Sequence, residues 1–330
     1  MSGTRINFAS VCSTRNLVIA SLMIGGSASI AAVPRPDHVV IVMEENQGSG
    51  KIIGSANAPY INSLASGGAY FSNSHAITHP SQPNYLDLFS GNNQGITDDS
   101  TTPVQFTTAN LGAQLISSGF SFTGYSESLP SAGYTGDTYS TVQGQNQYVR
   151  KHNPWVNWQS STIPQPTNTL PASVNQPFTS FPSNFTLLPT VSFVIPNEQD
   201  DMHHGTIAQG DTWLKNNIDA YAQWSLTHNS LLIVTWDEDD SGDTTNLIPT
   251  IMYGGMINSG TYSESINHFN VLRTIEDMYG TSYAGAAATS TPITDVFVAP
   301  EPGTIAIGAA SLLSLHLRPR RQSRRRRKLF

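Results

Sequence analysis

Acidic side chains follow directly after two apolar runs, a position that suits a metal site. Glu44-Glu45-Asn46 comes after the run 38–43, and Asp237-Glu238 comes after the run 231–236. If both runs are parallel strands, their carboxyl ends meet at one edge of a sheet, where ligands bind in such folds. Carboxylates that meet there repel each other and usually need a cation between them. The sequence therefore predicts four oxygen ligands for a hard divalent ion: Glu45, Asn46, Asp237 and Glu238.

The acids that follow Glu238 have a simpler explanation. Asp239, Asp240 and Asp243 are typical of solvated loop residues, because acidic side chains are mostly exposed. Asp237 and Glu238 stand against the end of a buried strand, which favours ligation over exposure. We therefore leave the later acids out of the predicted metal site.

Ser81 lies in a second segment that suits chemistry, Thr78-His79-Pro80-Ser81-Gln82-Pro83-Asn84-Tyr85. A helix is predicted to begin near Pro83, since proline is favoured in the first helical turn and serine at its cap. An ordinary N-cap is therefore one explanation of Ser81. The start of a helix also stabilises an anion, so the same position suits a nucleophilic serine that carries a phosphoryl group.

Alternating apolar runs and amphipathic segments must position these residues. The predicted strands are 38–43, 190–195, 231–236 and 247–253; the predicted helices are 59–65, 83–90, 106–117, 211–226 and 269–279. Residues 143–189 are rich in Pro, Asn, Gln, Ser and Thr and are predicted to form long loops. Strands that alternate with helices imply an α/β domain whose parallel or mixed sheet is covered on both faces.

Charge and cysteine content exclude several classes of function. Of the 330 residues, the central part 33–299 holds six basic and 22 acidic residues, a formal charge of −16. Such a surface repels nucleic acid and anionic membranes, so we expect no nucleic-acid partner. The single cysteine, Cys12, lies near the N-terminus, so the central part has neither thiol chemistry nor cysteine-ligated zinc.

The N-terminal residues are typical of a secretory signal. Arg5 and Arg15 precede an apolar run, 17–30, and Ala31-Ala32 supply the small residues at which signal peptidase cleaves. A membrane anchor is the alternative, but the run is short and rich in Gly and Ser compared with the ~20 residues of a spanning helix. We therefore assign 1–32 to a signal peptide and expect an exported protein.

The C-terminus has three parts in a characteristic order. Pro300-Glu301-Pro302 is followed by an apolar run, 303–317, and by an arginine-rich end. This order resembles the PEP-CTERM sorting signal of bacteria. The resemblance implies that 300–330 attaches transiently to the membrane, is cleaved by an exosortase and delivers the protein to the cell envelope or extracellular matrix. A nucleic-acid-binding arginine tail is the alternative, and the apolar run before the arginines argues against it.

Nine short segments of the central part, including those discussed above, form a recognisable series when they are taken in chain order. They are Glu44-Glu45-Asn46, Asn57-Ala58-Pro59-Tyr60-Ile61-Asn62, His79-Pro80-Ser81-Gln82-Pro83-Asn84-Tyr85, Arg150-Lys151-His152-Asn153-Pro154, Asp201-Met202-His203-His204-Gly205, Gly210-Asp211-Thr212-Trp213-Leu214, Thr235-Trp236-Asp237-Glu238-Asp239, Asn267-His268-Phe269 and Arg273-Thr274-Ile275-Glu276-Asp277. This series resembles the bacterial phosphoesterase family that contains acid phosphatases and phospholipases C, a branch of the alkaline phosphatase superfamily. The resemblance spans about residues 38–280. It implies that 33–299 is a phosphoesterase domain with the alkaline-phosphatase-like fold, a three-layer αβα sandwich with a mostly parallel central sheet.

The resemblance implies roles for individual residues, with Ser81 as the nucleophile. The residues implied to hold a metal are Glu45, Asn46, Ser81, Asp201, Asp237 and Glu238. Those implied to bind a second metal, hold phosphate oxygens or protonate the leaving group are His203, His204 and His268. Those implied to contact substrate are His79, Asn84, Lys151 and His152. Related enzymes often have Asp where this chain has Glu238, which still offers oxygen but reaches farther.

Together these patterns predict an exported, metal-dependent hydrolase of a small phosphoester, with Ca, Mg, Mn or Zn as the candidate metals. A phosphomonoesterase of acid-phosphatase type is favoured, because the body is compact and shows no obvious lipid-binding module. A phospholipase C or another phosphodiesterase with the same machinery is the first alternative. A non-catalytic, matrix-anchored protein of the same fold is the second, and the intact Ser81 and carboxylates argue against it.

Overall fold

The structure, a computed structural model, describes residues 33–102, 105–240 and 245–298. The predicted signal peptide, 1–32, and the predicted sorting signal, 300–330, lie outside the described residues. Within the described ranges, no helix combines the length and apolar character that crossing a membrane requires.

Fourteen strands and six α-helices, joined by loops and short 3-10 turns, make up the described chain. The strands are β1 (His38–Glu44), β2 (Ala69–Phe71), β3 (Ser74–His75), β4 (Phe122–Ser126), β5 (Thr138–Tyr139), β6 (Tyr148–Val149), β7 (Gln159–Ser160), β8 (Leu170–Pro171), β9 (Asn175–Pro177), β10 (Val191–Ile195), β11 (Ser230–Trp236), β12 (Thr250–Tyr253), β13 (Gly260–Tyr262) and β14 (Ile266–Asn267). The helices are α1 (Ser49–Ile52), α2 (Pro59–Gly67), α3 (Ser81–Ser90), α4 (Leu111–Ser117), α5 (Ile207–Ser225) and α6 (His268–Tyr279).

Eight strands form one sheet in the order β13-β2-β12-β11-β1-β10-β4-β9. The central strand β1 runs parallel to both neighbours, so that Val40 is in register with Ser192 of β10 and Leu232 of β11. β12 is antiparallel to both β11 and β2. The predicted, mostly parallel sheet is confirmed.

Helices cover both faces of this sheet, which explains the continuous apolar sequence of its central strands. Val39, Ile41 and Met43 of β1 are fully buried in a core that includes side chains of α3, α4 and α6. Val40 and Val42, which point the other way, are fully buried in a second core with side chains of α2 and α5. The predicted three-layer αβα sandwich is therefore present.

The starts of two helices differ from the predictions by four or more residues because of local capping. α4 begins at Leu111, not 106, because the side chain of Asn110 accepts the backbone N–H of Ala113 at 2.9 Å. α5 begins at Ile207, four residues earlier than predicted, because Thr206 caps it by accepting the N–H of Gln209 at 3.2 Å. Capping residues thus set both starts.

β4 was not among the predicted strands, although it lies inside the sheet between β10 and β9. Its sequence, FTGYS, lacks a clear apolar period. Gly124 is required there because a Cβ at this position would lie 2.1 Å from the ring of Trp155. The strand is therefore stabilised by a tertiary contact of its glycine, which local sequence patterns do not reveal.

Candidate active site

Ser81 is the first residue of α3, and its buried hydroxyl faces two carboxylates. The hydroxyl donates toward Glu45 Oε2 at 3.2 Å and Glu238 Oε1 at 3.0 Å. Pro80 occupies the N-cap position and no side chain there bonds to the helix. The interpretation of Ser81 as an ordinary N-cap is therefore wrong, and its oxygen is available to the acidic side chains.

The ends of β1 and β11 bring these acids together, as the sequence predicted. The strands are in register from His38 with Ser230 to Glu44 with Trp236. The backbone N–H of Asn46 donates to Asp237 Oδ1 at 3.0 Å, and the Asn46 amide donates to Glu45 Oε2 at 3.1 Å. The two strand ends are thus tied to each other immediately beside Ser81.

Four of the predicted ligands are buried carboxylates, Glu45, Asp201, Asp237 and Glu238, and Asp239, which was expected to be solvated, is fully buried as well. Burial raises the pKa of Glu238 to about 7 and that of Asp201 to about 7. Burial, followed by repulsion from Glu45 and Glu238, raises the pKa of Asp237 well above its usual value. Among the described residues, no group forms a hydrogen bond to Asp237 Oδ2. Buried carboxylates that repel one another fit a divalent cation. Its positive charge would offset the repulsion, and the Asp237 oxygen that lacks a hydrogen bond could bind it.

Glu45 is held in place by two aromatic side chains. Tyr85 donates its hydroxyl to Glu45 Oε1 at 2.6 Å, and His152 Nε2 lies 2.9 Å from the same oxygen. The rings of Tyr85 and His152 stack with centroids 5.0 Å apart. Burial alone would raise the pKa of Glu45, but the charge of His152 outweighs it and brings that pKa to about 2. Oε1 is therefore fixed, and Oε2 is turned to Ser81.

His152, predicted to contact substrate, is instead enclosed among carboxylates. It is fully buried, and its Nδ1 lies 3.5 Å from Asp201 Oδ2. Burial opposes its protonation, yet Glu45 and Asp201 raise its pKa to about 9. The imidazolium therefore offsets part of the negative charge beneath Ser81 and supports the ligands rather than the substrate.

Two further groups of side chains have the spacing of metal ligands. The ligand atoms of Glu45, His152 and Asp201 lie within 4.8 Å of one another, as do those of Glu198, His203 and His204. Glu198 was not predicted from the sequence. The first cluster shares Glu45 with the oxygen groups around Ser81, whereas the second contains none of those residues.

His203 and His204 remain candidates for contact with a phosphoryl group or a second metal. Burial lowers the pKa of His203 to about 4, so its ring is neutral at neutral pH. Its buried Nδ1 makes no hydrogen bond within the described part of the chain. His204 is half-exposed, and its Nδ1 lies 3.1 Å from Glu198 Oε2. A neutral imidazole with a free nitrogen suits either role.

Three other predicted residues position the loops that carry the site. His268 Nε2 bonds to the backbone carbonyl of Asp237 at 2.9 Å, and burial lowers the pKa of this ring to about 4. His79 Nδ1 lies 2.5 Å from Glu238 Oε2. Asn84, predicted to contact substrate, has both side-chain ends bonded to the backbone of the preceding loop, chiefly at Thr78. Its amide groups are therefore engaged in shaping the loop before Ser81.

Lys151 points toward the site but is paired with Asp99. Its Nζ donates to Asp99 Oδ2 at 2.7 Å, while Asp99 Oδ1 accepts the backbone N–H of Gln82 at 3.0 Å. A cavity of about 290 Å³ lies beside this pair and is also lined by Glu198 and His204. The loop acid Asp99 thus adjoins the start of α3.

The family model named Phosphoesterase family matches residues 54–282. This chain belongs to the phosphoesterase family. The match covers Ser81 and the acids Asp201, Asp237 and Glu238. The chain is therefore a hydrolase of phosphoric esters.

Named phosphatases are among the relatives of this phosphoesterase. A phosphatidylinositol-3-phosphatase of Mycobacterium tuberculosis is 48% identical over 269 residues, which cover 81% of this chain and 85% of that protein. An acid phosphatase of Aspergillus fumigatus is 31% identical over 225 residues, 66% of this chain and 49% of that protein. The phosphoesterase spans about half the length of the fungal acid phosphatases that it matches.

Solved structures support the fold of this phosphoesterase. A protein in the alkaline phosphatase superfamily from Vibrio parahaemolyticus superposes with a TM-score of 0.53 at 13% identity, over 78% of this chain and 71% of that one. Identity this low supports the fold alone. The predicted alkaline-phosphatase-like architecture is confirmed.

The buried acids predict an unusual pH dependence of stability in the metal-free phosphoesterase. Asp201 and Glu238, with pKa values raised to about 7, hold protons in the folded protein that unfolded carboxyls, which titrate near 4, have lost. The contribution of these two carboxyls to stability therefore falls as pH rises from about 4 to about 7. It exceeds the opposing contribution of His203 and His268, whose pKa values, lowered to about 4, add stability as pH rises to about 6.5. Deprotonation of His152, whose pKa is raised to about 9, continues the fall at higher pH. Calorimetric melting after chelation should show a lower midpoint at pH 8 than at pH 5, by about 2–4 °C for each kcal/mol.

A divalent cation should oppose this loss of stability, because its positive charge replaces that of the protons that the buried carboxyls have released. Added Mn²⁺ is expected to raise the melting midpoint more at pH 8 than at pH 5, because the carboxylates compete with protons for the ion. An equal effect at both pH values, or a metal-free protein that becomes more stable with rising pH, would contradict the assignment of these acids to a cation site.

Tyr85 should act as a support of the metal ligand Glu45. Tyr85→Phe removes the 2.6 Å bond to Glu45 Oε1 and keeps the ring stacked on His152. Loss of such a supporting bond typically weakens metal binding at least about 10-fold. Calorimetric titration with Mn²⁺ measures this directly. Tyr262→Phe, which removes a surface bond to the Asn258 carbonyl, is the matched control, and equal affinities in the two variants would reject the role.

Proposed function

We propose that this phosphoesterase is a metal-dependent phosphomonoesterase of acid-phosphatase type, with Ser81 as its nucleophile. The observation that carries the proposal is the Ser81 hydroxyl, which lies within 3.2 Å of two buried carboxylates at the start of α3. The positive end of the helix dipole favours a phosphoryl group at this position. The acidic neighbours can accept the hydroxyl proton.

The proposed reaction has two steps: the phosphoryl group passes first to Ser81 and then to water. Ser81 Oγ forms a bond to phosphorus as the bond between phosphorus and the substrate alcohol breaks, and the hydroxyl proton passes to Glu238 Oε1 at 3.0 Å. The departing alcohol oxygen takes a proton from His204, which lines the adjacent cavity with Glu198 against its Nδ1. Water then attacks phosphorus as the bond between phosphorus and Ser81 Oγ breaks. The proton that the water loses passes to His204, and Glu238 returns its proton to Ser81 Oγ, so that phosphate is released and all three side chains regain their starting states.

A divalent cation fits among the side chains around Ser81. The residues that would hold it are Glu45, Asn46, Ser81, Asp237 and Glu238, whose ligand atoms are oxygens. When bound, the cation supplies positive charge that favours the serine oxyanion and offsets charge on the phosphoryl group. Oxygen ligands favour Mg, Mn or Ca, whereas the cluster of Glu198, His203 and His204 has the mixed ligands that suit Zn.

A phosphoinositide substrate is a specific form of this proposal. It is supported by the 48% identity to a protein named phosphatidylinositol-3-phosphatase, which covers 85% of that relative. A phosphate on an inositol ring is a monoester, so the same serine chemistry applies. A phosphodiesterase with the same machinery remains the competing function.

Ser81→Ala tests the nucleophile. Turnover of p-nitrophenyl phosphate should fall at least about 10³-fold, given the effects of removing a covalent nucleophile elsewhere. Acid quenching of the wild-type protein during turnover should trap phosphate on Ser81, detectable by peptide mass spectrometry. Ser66→Ala, at an exposed position of α2, is the control. Unchanged turnover in Ser81→Ala would transfer the role to Thr78 or to water.

The same assay separates the alternative functions. Hydrolysis of p-nitrophenyl phosphate that EDTA abolishes and Mg, Mn, Ca or Zn restores supports a metal-dependent monoesterase. Preference for bis-p-nitrophenyl phosphate or p-nitrophenylphosphorylcholine would instead indicate a phosphodiesterase or phospholipase C. If folded, metal-loaded protein hydrolysed none of the three substrates, the result would favour the non-catalytic alternative.

Export is the remaining part of the proposal. It is supported by the basic, apolar and small-residue order of 1–32 and by the Pro-Glu-Pro segment with its apolar run and basic end. N-terminal sequencing of protein recovered outside the cytoplasm should begin near Val33. A mature protein that starts at Met1 in the cytoplasm would contradict export.

A further inference from the structure

The loop that follows α3 in the chain returns to the first turn of that helix and is fastened to it by hydrogen bonds in both directions. The backbone N–H of Gln82 donates to Asp99 Oδ1 at 3.0 Å. In return, the side-chain amide of Gln82 donates to the backbone carbonyls of Asp98 at 3.0 Å and Ser100 at 2.9 Å. Gln82 is only 2% exposed, so its side chain is shielded from competing water. The loop is therefore held firmly at the start of the helix that carries Ser81.

Asp99 extends this connection to the side chain of Lys151. Its second oxygen, Oδ2, accepts a hydrogen bond from Lys151 Nζ at 2.7 Å. A single carboxylate thus joins the ammonium group to the backbone of Gln82, the residue next to Ser81. A lysine side chain adopts many rotamers when it is free, so a partner that holds Nζ removes an entropy cost from any reaction that uses the group.

Lys151 lies in the site rather than at the protein surface. Its side chain is only 18% exposed, and it lines the cavity of about 290 Å³ that His204 also lines. Burial alone would lower the pKa of Lys151, but Glu45 and Asp99 raise that pKa above its ordinary value. Glu45 also accepts the hydroxyl of Ser81, at 3.2 Å. The ammonium group is therefore charged and interacts electrostatically with an immediate neighbour of Ser81.

A purely structural ion pair is the alternative explanation of Asp99 and Lys151. Fastening the loop does not require the lysine, because the Gln82 amide already binds two backbone carbonyls of the loop. Burying a charge is costly, and ion pairs that only fasten a surface loop stabilise it little. The burial of this ammonium group is better explained if it meets a substrate. An ammonium group has three donors, so one N–H can bind Asp99 while another binds an anionic oxygen.

We propose that Asp99 is a positioning residue, which holds Lys151 Nζ where it donates a hydrogen bond to an oxygen of the phosphoryl group during transfer to Ser81. This role rests on the proposed function, because it places the phosphoryl group at Ser81. Asp99 offsets the charge of Lys151, so the pair supplies direction to the hydrogen bond rather than net attraction for the substrate. A directed hydrogen bond that is made chiefly in the transition state raises kcat more than it lowers KM.

Asp99→Asn tests this role in metal-loaded protein. Asparagine keeps the shape of the side chain, but it lacks the charge and cannot accept from Lys151 and Gln82 with both of its terminal atoms. With p-nitrophenyl phosphate, kcat should fall about 10-fold, the value of a hydrogen bond to a charged group, while KM changes less than about 2-fold. Asp98→Asn is the matched control, because it makes the same change in the same loop, where the carboxylate accepts the N–H of Ser100. If Asp99→Asn left kcat unchanged, or if Asp98→Asn lowered it as much, the proposal would be wrong.

A double-mutant cycle with Lys151→Met separates positioning from a structural role. If Asp99 acts through Lys151, Asp99→Asn lowers kcat about 10-fold in the wild-type background and less than about 2-fold in the Lys151→Met background. A structural role would lower kcat by the same factor in both backgrounds, and that result would overturn the proposal. Asp99→Glu, which keeps the charge but moves the carboxylate by one methylene, replaces Asp99→Asn in the cycle if the asparagine variant folds poorly.

Calorimetric titration with orthovanadate distinguishes failure of this proposal from failure of the proposed function. Vanadate can adopt the five-coordinate geometry of phosphoryl transfer, and its binding is measured without turnover. Its affinity should fall about 10-fold in Asp99→Asn, and Lys151→Met should remove this effect of Asp99.

That vanadate result without hydrolysis of p-nitrophenyl phosphate would keep the positioning role and reject the monoesterase. Hydrolysis of the ester, with additive losses of kcat and of vanadate affinity in the cycle, would keep the monoesterase and reject the positioning role. Absence of both hydrolysis and vanadate binding would reject both.

Discussion

Repulsion among carboxylates buried beside Ser81 is the constraint on which the site depends. Glu45, Asp201, Asp237 and Glu238 are all at least nine-tenths buried, and burial raises the pKa of three of them. The exception is Glu45, whose pKa is brought down by His152. One buried imidazolium offsets only part of this charge. The arrangement is therefore costly in the metal-free protein, and groups with such shifted pKa values are common at active sites.

The sandwich supplies the rigidity that keeps such groups from moving apart. β1 is covered on both faces and paired in register on both edges, so Glu45 and Asp237 leave the sheet at fixed positions. α3 is buried along its whole length and carries Ser81 at its start and Tyr85 one turn later. Ser81 and Tyr85, which supports Glu45, thus belong to one rigid helix, which makes their spacing independent of loop motion.

The sequence was informative where burial and chain order decide the structure. β1, β10 and β11 were predictable because strands buried on both faces read as continuous apolar runs, and the acids at their ends followed from parallel topology. β4 was not predictable, because Gly124 in this strand is required by the packing of the Trp155 ring, which lies 31 positions away in the sequence. Tyr85 and Glu198 were also missed. The spacing of Tyr85 four residues after Ser81, on one helix face, was the available signal; Glu198 is defined only by its approach to His204.

The distribution of positive charge explains how an acidic protein can accept an anionic substrate. The central part has six basic residues, and two of them, Arg150 and Lys151, line the cavity beside Ser81. Lys151 is paired with Asp99, so the pair contributes little net attraction and serves better as an oriented donor and acceptor. In the proposed function, attraction for the phosphoryl group would then come from the start of α3, from a divalent cation and from the histidines, so that the phosphoryl charge is met by groups other than the basic side chains.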